Sequence, residues 1–186
     1  MPAKDTTVYV NWTVNNYTVR FEDYDGTEIE TNTVAYGDLI VAPADPTREG
    51  YEFKGWNKEV QSTMPAENLV YRATYAILSY SLTYVTDVEI STSTVLYNTS
   101  LTAPADDEKE GYTFLHWKNV DADTIVTYPF NMPAKDVKIQ AVQQINEYTI
   151  SFDSKGGSEV APITQDYNTT VSAPADPSRE GYTFAG

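Results

Sequence analysis

One histidine, no cysteine and an acidic balance of 27 Asp and Glu against 12 Lys and Arg set narrow limits on the chemistry of this 186-residue sequence. A nucleophile–histidine–acid arrangement would have to use His116. Without cysteine and with one histidine, an ordinary nitrogen–sulfur metal site lacks ligands. Asp23-Tyr24-Asp25-Gly26 begins like a calcium loop, but the third acidic position and the distal glutamate are missing. Its aligned copy, Ser154-Lys155-Gly156-Gly157, holds no acid, so a β-turn is the better reading. Asn11-Trp12-Thr13, Asn16-Tyr17-Thr18, Asn98-Thr99-Ser100 and Asn168-Thr169-Thr170 fit the glycosylation triplet, which a Thr- and Asn-rich sheet sequence also produces by chance. A lysine beside Asn or Asp and a buried Glu would form an isopeptide bond, but no motif fixes the partners. Trp12, Trp56 and Trp117 would make a sugar-binding platform if they faced outward; alternation assigns them to the core side, with Tyr9 as an outward exception. This inventory points away from an enzyme, and no cofactor is expected.

The formal net charge of −15 argues against nucleic acid as a partner, since phosphate recognition needs clustered Lys and Arg. No window reaches the apolar length of a membrane span. Met1-Pro2-Ala3-Lys4-Asp5 runs into polar residues without the apolar stretch of a signal peptide. Enrichment in Tyr, Thr and Val reads as sheet.

The elements that hold these residues repeat along the chain. Ala42-Pro43-Ala44-Asp45 returns as Ala103-Pro104-Ala105-Asp106 and Ala173-Pro174-Ala175-Asp176. Arg48-Glu49-Gly50-Tyr51 returns as Lys109-Glu110-Gly111-Tyr112 and Arg179-Glu180-Gly181-Tyr182. Met64-Pro65-Ala66 returns as Met132-Pro133-Ala134, and Met1-Pro2-Ala3 is a further copy. The order of landmarks divides the chain into residues 1–14 (the last strand of a repeat), 16–75, 77–143 (a divergent copy) and 146–186 (a partial repeat).

Within a repeat the first strand alternates with a period of two: Tyr17, Val19 and Phe21 face one way, matched by Tyr80, Leu82 and Tyr84 and by Tyr148, Ile150 and Phe152. A hairpin turn follows at Asp25-Gly26 or Gly156-Gly157, then a second strand over about 28–36, 89–97 and 158–167. Each second strand ends at a Tyr-(Gly/Asn) pair whose Gly or Asn suits left-handed backbone. Asp45 before Pro46, with Gly50 closing the segment, predicts one short helical turn. The third strand starts at Tyr51, Phe53 and Trp56, matched by Tyr112, Phe114 and Trp117 and by Tyr182 and Phe184. The last strand places Leu69, Tyr71, Ala73 and Tyr75 on one face, matched by Val137, Ile139, Ala141 and Gln143. At the chain start Thr6, Val8, Val10 and Trp12 take those places.

Residues 147–158 and 175–186, with Arg48-Glu49-Gly50-Tyr51 and Lys54-Gly55-Trp56, resemble the Listeria–Bacteroides repeat, the B-repeat type known from internalin B and many other bacterial surface proteins. The middle repeat departs from the pattern, with His116 where Gly is expected. The resemblance implies a mainly β (α+β) fold of tandem small β-grasp-like modules, each a mixed sheet with a short helix. It implies a stalk or spacer of a secreted or wall-attached adhesin, with structural motif residues and no catalytic ones. The short connections between repeats predict a semi-rigid, extended array. The alternative is a module that contacts a host glycan or protein. The unmatched strand bearing Val8, Val10 and Trp12 suggests a third arrangement, head-to-tail strand complementation between chains into a fibre.

Overall fold

A computed structural model describes residues 3–186, so Met1 and Pro2 of the first Met-Pro-Ala copy lie outside the described residues. The chain divides into two compact units. One holds the residues up to Ser79 together with Leu96–Asn98; the other holds Tyr80–Val95 and Thr99–Gly186.

The first unit contains β1 (Asn16–Glu22), β2 (Glu28–Ala35), β3 (Tyr51–Trp56) and β4 (Leu69–Ile77) in one sheet, ordered β2-β1-β4-β3. β1 pairs antiparallel with β2 and parallel with β4, with Val19 opposite Leu69 and Phe21 opposite Tyr71. β3 returns antiparallel along the other edge of β4. The parallel pair forms because both central strands carry apolar residues at every second position, and these share one face. Val19, Phe21, Met64, Leu69 and Tyr71 are buried there, with Tyr17, Val34, Ile40, Trp56 and Val60 packed around them. Phe21 meets Trp56 edge-on at 4.8 Å and stacks on Tyr71 at 5.2 Å. Each such side chain contributes roughly 1.5–3 kcal/mol through burial, and this cysteine-free core has no disulfide to supplement it.

The second unit repeats the plan. β5 (Ser79–Val85), which begins at the last residue before the boundary, β6 (Ile90–Leu96), β7 (Ser100–Leu101), β8 (Tyr112–Asn119), β9 (Thr124–Ile125), β10 (Phe130–Asn131) and β11 (Val137–Ile145) follow in order. The main sheet runs β6-β5-β11-β8-β9, again with a parallel central pair, Val137 opposite Leu82 and Ile139 opposite Tyr84. β7 and β10 form a separate two-stranded ribbon. Leu82, Trp117, Met132, Val137 and Ile139 fill the core. Beyond it, β12 (Glu147–Ile150) and β13 (Ile163–Asp166) form one hairpin.

One expectation is corrected, and two expected strands lie without a strand partner among the described residues. The segment from Asp45 to Gly50 contains no helix, and none occurs among the described residues. Gly50 ends this irregular segment in a tight turn with φ +74°, so its glycine serves the turn rather than a helix terminus. Residues 5–15 carry no strand pairing, and Val8, Val10 and Trp12 are 83%, 69% and 90% exposed. Among the described residues Trp12 therefore has no strand partner. Tyr148, Ile150 and Phe152 are also exposed, as are Tyr182 and Phe184, and Phe152 falls past the end of β12. In the first two repeats the last strand covers the equivalent residues, and residues 146–186 contain no such strand. The third strand there is reduced to a bridge between Arg179 and Tyr182.

Other expectations match. Gly37, Asn98 and Asn168 all have positive φ, at 86°, 61° and 58°. Asp23-Tyr24-Asp25-Gly26 is a turn: the Gly26 N–H donates to the Asp23 carbonyl at 3.0 Å, and Gly26 has φ +88°.

Candidate functional site

The feature built the same way in both units is a socket formed by the (Arg/Lys)-Glu-Gly-Tyr motif. In each copy the Tyr N–H donates to the carbonyl three residues earlier: Tyr51 to Arg48 at 3.0 Å, Tyr112 to Lys109 at 3.0 Å and Tyr182 to Arg179 at 3.1 Å. The third residue of each turn has positive φ, 74°, 77° and 73° at Gly50, Gly111 and Gly181, which favours glycine in a four-residue turn of this kind. The turn also brings the first and fourth side chains together. The Arg48 guanidinium lies 3.8 Å from the centre of the Tyr51 ring, Lys109 Nζ lies 3.8 Å from that of Tyr112, and Arg179 lies 4.2 Å from that of Tyr182. The motif is thus a cation held over an aromatic ring. Arg48 is further sandwiched by Tyr24 at 3.6 Å.

A second tyrosine occupies the glycine. Tyr97 packs on Gly50 so closely that a Cβ there would lie 2.2 Å from its ring, and Tyr167 packs on Gly111 with a corresponding distance of 2.0 Å. The rings meet the motif tyrosines edge-on or nearly so, Tyr97 to Tyr51 at 5.9 Å and Tyr167 to Tyr112 at 6.5 Å. Backbone bonds fix each ring in place. Leu78 N–H donates to the Gly50 carbonyl at 2.9 Å, and the Leu78 carbonyl accepts from Tyr97 N–H at 2.8 Å. Asn146 does the same in the second unit, donating to Gly111 and accepting from Tyr167, both at 2.8 Å. Burial raises the Tyr167 phenol above its ordinary range, with nearby Glu110 adding to the effect.

Two copies of this arrangement are half open. Tyr36 N–H donates to the Asn15 carbonyl at 2.9 Å, as its counterparts do, yet its ring is 58% exposed. Gly181 has nothing within 4 Å of the Cβ position, and Tyr182 is 68% exposed.

The Met-Pro-Ala landmark, read from sequence as the end of a loop, puts methionine into each core. Met64 and Met132 are both 1% exposed. The Met64 N–H donates to Asp38 at 2.8 Å, its carbonyl accepts from Gly37 at 2.9 Å, and the Met132 N–H donates to Thr99 at 2.9 Å. The buried methionines therefore anchor the turns that follow Tyr36 and Tyr97. Four residues later, Asn68 and Asp136 each accept a backbone N–H from the adjoining first strand, of Thr18 and Ser81, at 2.8 Å.

The remaining candidates take structural places. Gly50 and Gly111 are buried, Tyr51, Phe53, Trp56, Tyr112 and Phe114 are half-buried, and Gly181 is exposed. His116 sits mid-strand in β8 opposite Val142. The Asp25 carboxylate accepts from Thr27 N–H at 2.9 Å, and this bonding lowers its pKa. Asp23 accepts from the Tyr75 hydroxyl at 2.9 Å. The buried Glu22 is paired with Arg72 at 3.0 Å and Arg20 at 3.2 Å, and arginine does not form isopeptide bonds. Among the described residues no group of three or more His, Asp or Glu is placed to hold a metal ion, and no helix is long and apolar enough to cross a membrane.

Sheet and socket together define a class: small β-sheet units that repeat one strand plan and one turn motif. The model of the Listeria-Bacteroides repeat domain matches residues 17–69, 80–142 and 148–186, and the chain belongs to that family. It is 31% identical over 97% of its length to an Evansella cellulosilytica protein named "Putative membrane protein", of which it covers 29%. It is 35% identical over 74% of its length to Internalin H of Listeria monocytogenes, of which it covers 28%. The chain thus spans less than a third of either curated relative.

Proposed function

We propose that this chain is a spacer segment of a bacterial cell-surface protein, in which β-grasp-like modules are coupled into a semi-rigid, extended array that holds another domain away from the cell. Membership of the repeat family and the likeness to Internalin H support the surface assignment. The strand order β2-β1-β4-β3 around a parallel pair supports the β-grasp comparison, here without a helix. The observation that carries the spacer reading is the plugged socket. Tyr97 belongs to the second repeat by sequence yet packs within the first unit, on Gly50. Tyr167 of the third repeat stands in the same relation to Gly111 of the second. A joint with aromatic packing and two backbone hydrogen bonds resists bending where a bare linker would not.

Small-angle X-ray scattering of the intact chain, compared with a Tyr97→Ala/Tyr167→Ala variant, tests this. The expected result is a narrow, rod-like distance distribution that broadens in the variant while the sheet signal is unchanged. A distribution as broad in the parent chain as in the variant would exclude a stiff spacer.

A further inference from the structure

The main sheet of the second unit ends on an unguarded edge, and we propose that its β6 pairs antiparallel with β6 of a second copy of this chain. This goes beyond the spacer reading, because it makes the chain a dimer through one exposed strand. β6 is the outermost strand of its sheet, and its residues from Ile90 to Thr94 are all exposed. A free strand edge offers unpaired N–H and C=O groups, and proteins ordinarily blunt it with charge, bulges or shortness. The other edges of the two main sheets follow that rule. β2 carries Glu28 and Glu30. β3 carries Glu52 and Lys54, with a register shift between Phe53 and Gly55. β9 is only Thr124–Ile125. β6, with the sequence Ile-Ser-Thr-Ser-Thr-Val-Leu, has none of these devices.

The hairpin of β5 and β6 decides which backbone groups are free. At its turn the Thr86 N–H donates to the Glu89 carbonyl at 2.9 Å, and at its far end the Tyr97 N–H donates to the Leu78 carbonyl at 2.8 Å. Antiparallel alternation between these bonds turns Ser91, Ser93 and Val95 toward β5. It leaves the N–H and C=O of Ile90, Thr92, Thr94 and Leu96 on the open side. The side chains favour a copy of the same strand. Ser93 lies midway between Ile90 and Leu96, which are 70% and 50% exposed. With Ser93 opposite Ser93 of the second copy, Ile90 faces Leu96 twice and Thr92 faces Thr94 twice. In that register the free backbone groups of each strand meet those of the other. Charge favours it too. The chain carries −15, which opposes self-association, yet the longest stretch of its sequence without a charged residue runs from Ile90 to Ala105. Glu89 then falls opposite the uncharged Tyr97, so like charges do not face each other. The contact is its own complement and closes at two copies.

Because the chain lacks cysteine, single-cysteine variants report the register directly. In a non-hydrogen-bonded antiparallel pair the two Ser93 Cα atoms would lie about 4.5 Å apart, within disulfide reach. Under mild oxidation Ser93→Cys should therefore link to itself at least tenfold faster than Asn32→Cys, which holds the same place in β2, or Ser91→Cys, which faces Val95. Sedimentation of the parent chain should show the mass rising from one to two chains with concentration. Thr92→Lys/Thr94→Lys and Thr92→Glu/Thr94→Glu change only exposed side chains. Each should weaken the dimer at least tenfold, since like charges then face each other, and mixing the two variants should restore it. A parent chain that stays monomeric to millimolar concentration would overturn the proposal. So would a dimer that both charged variants leave intact, a mixture of them that stays monomeric, or cross-linking at Ser93 no faster than at Asn32. The stiffness measured on the Tyr97 and Tyr167 variants is independent of all these outcomes.

Discussion

Tyr97 lies against Gly50 at a distance that leaves no room for a Cβ, which would sit 2.2 Å from the ring. Glycine is required here twice, for its left-handed backbone and for its missing side chain. The two requirements separate by mutation. Gly50→Ala should destabilise the first unit by about 3 kcal/mol, combining left-handed strain with a displaced ring. With Tyr97→Ala already in place, the same substitution should add only about 1–2 kcal/mol, the backbone component. Gly181→Ala, in an open socket, should also show only that component. Denaturation of the single and double variants, followed by amide exchange to assign the unit that opens, checks all three.

Arg48 stands between two rings, 3.6 Å from Tyr24 and 3.8 Å from Tyr51. Arg48→Met should cost about 1–2 kcal/mol by removing the cation from both faces. Arg48→Lys should recover only part of this, because an ammonium cannot stack flat between rings as a guanidinium does. Full recovery by lysine in a thermal melt would mean that charge alone matters.

Met64 is one of the largest buried side chains, 1% exposed. Met64→Ala should destabilise the first unit by about 2–5 kcal/mol through the cavity it leaves, and Met64→Leu by less than about 1.5 kcal/mol. Amide exchange at Gly37 and at Met64 itself should rise in the alanine variant, since the bonds between this residue and the turn at Gly37-Asp38 depend on its seat in the core.

Burial and the hydrogen bond to Asp23 push the Tyr75 phenol up to about 12, from an ordinary value of 10.0. The neutral phenol is the form that folding favours. Its stabilising contribution is therefore complete below pH of about 10 and is lost as pH rises through about 12. Absorbance titration of the phenolates should show this tyrosine ionising late. Asp23→Asn, which removes the carboxylate charge, should bring it earlier.

Much of the sheet is legible in the residues. The alternation of Tyr17, Val19 and Phe21 and of Leu69, Tyr71 and Ala73 identifies the two central strands, because each buries one face. Gly37, Asn98 and Asn168 mark turns because their conformation excludes most other residues. The pairing of Asp45 with Pro46 misleads: a cap and a favourable first residue permit a helix, but Gly50 closes the segment before any apolar face has formed to hold one. Val8, Val10 and Trp12 show what a local pattern leaves open. Their pattern is that of a strand, but a strand needs a neighbour, and alternation does not supply one.

The socket is half legible. Repetition of Arg48-Glu49-Gly50-Tyr51 marks the motif, and the constant separation of cation and tyrosine is the signal from which their stacking is readable. Tyr36, Tyr97 and Tyr167 recur just as regularly, but the glycines on which Tyr97 and Tyr167 pack lie in the preceding repeat, beyond the reach of any local pattern. Met64 and Met132 are visible as repeats and hidden as core, since a methionine next to proline reads as punctuation.

The placement of Tyr97 and Tyr167 also bears on how such arrays change in length. The second repeat plugs the glycine of the first through Tyr97, and the third plugs that of the second through Tyr167. Duplicating or deleting one whole repeat therefore leaves every junction with a matching pair, wherever in the gene the event falls. The number of repeats can therefore change by recombination without a compensating mutation at this contact.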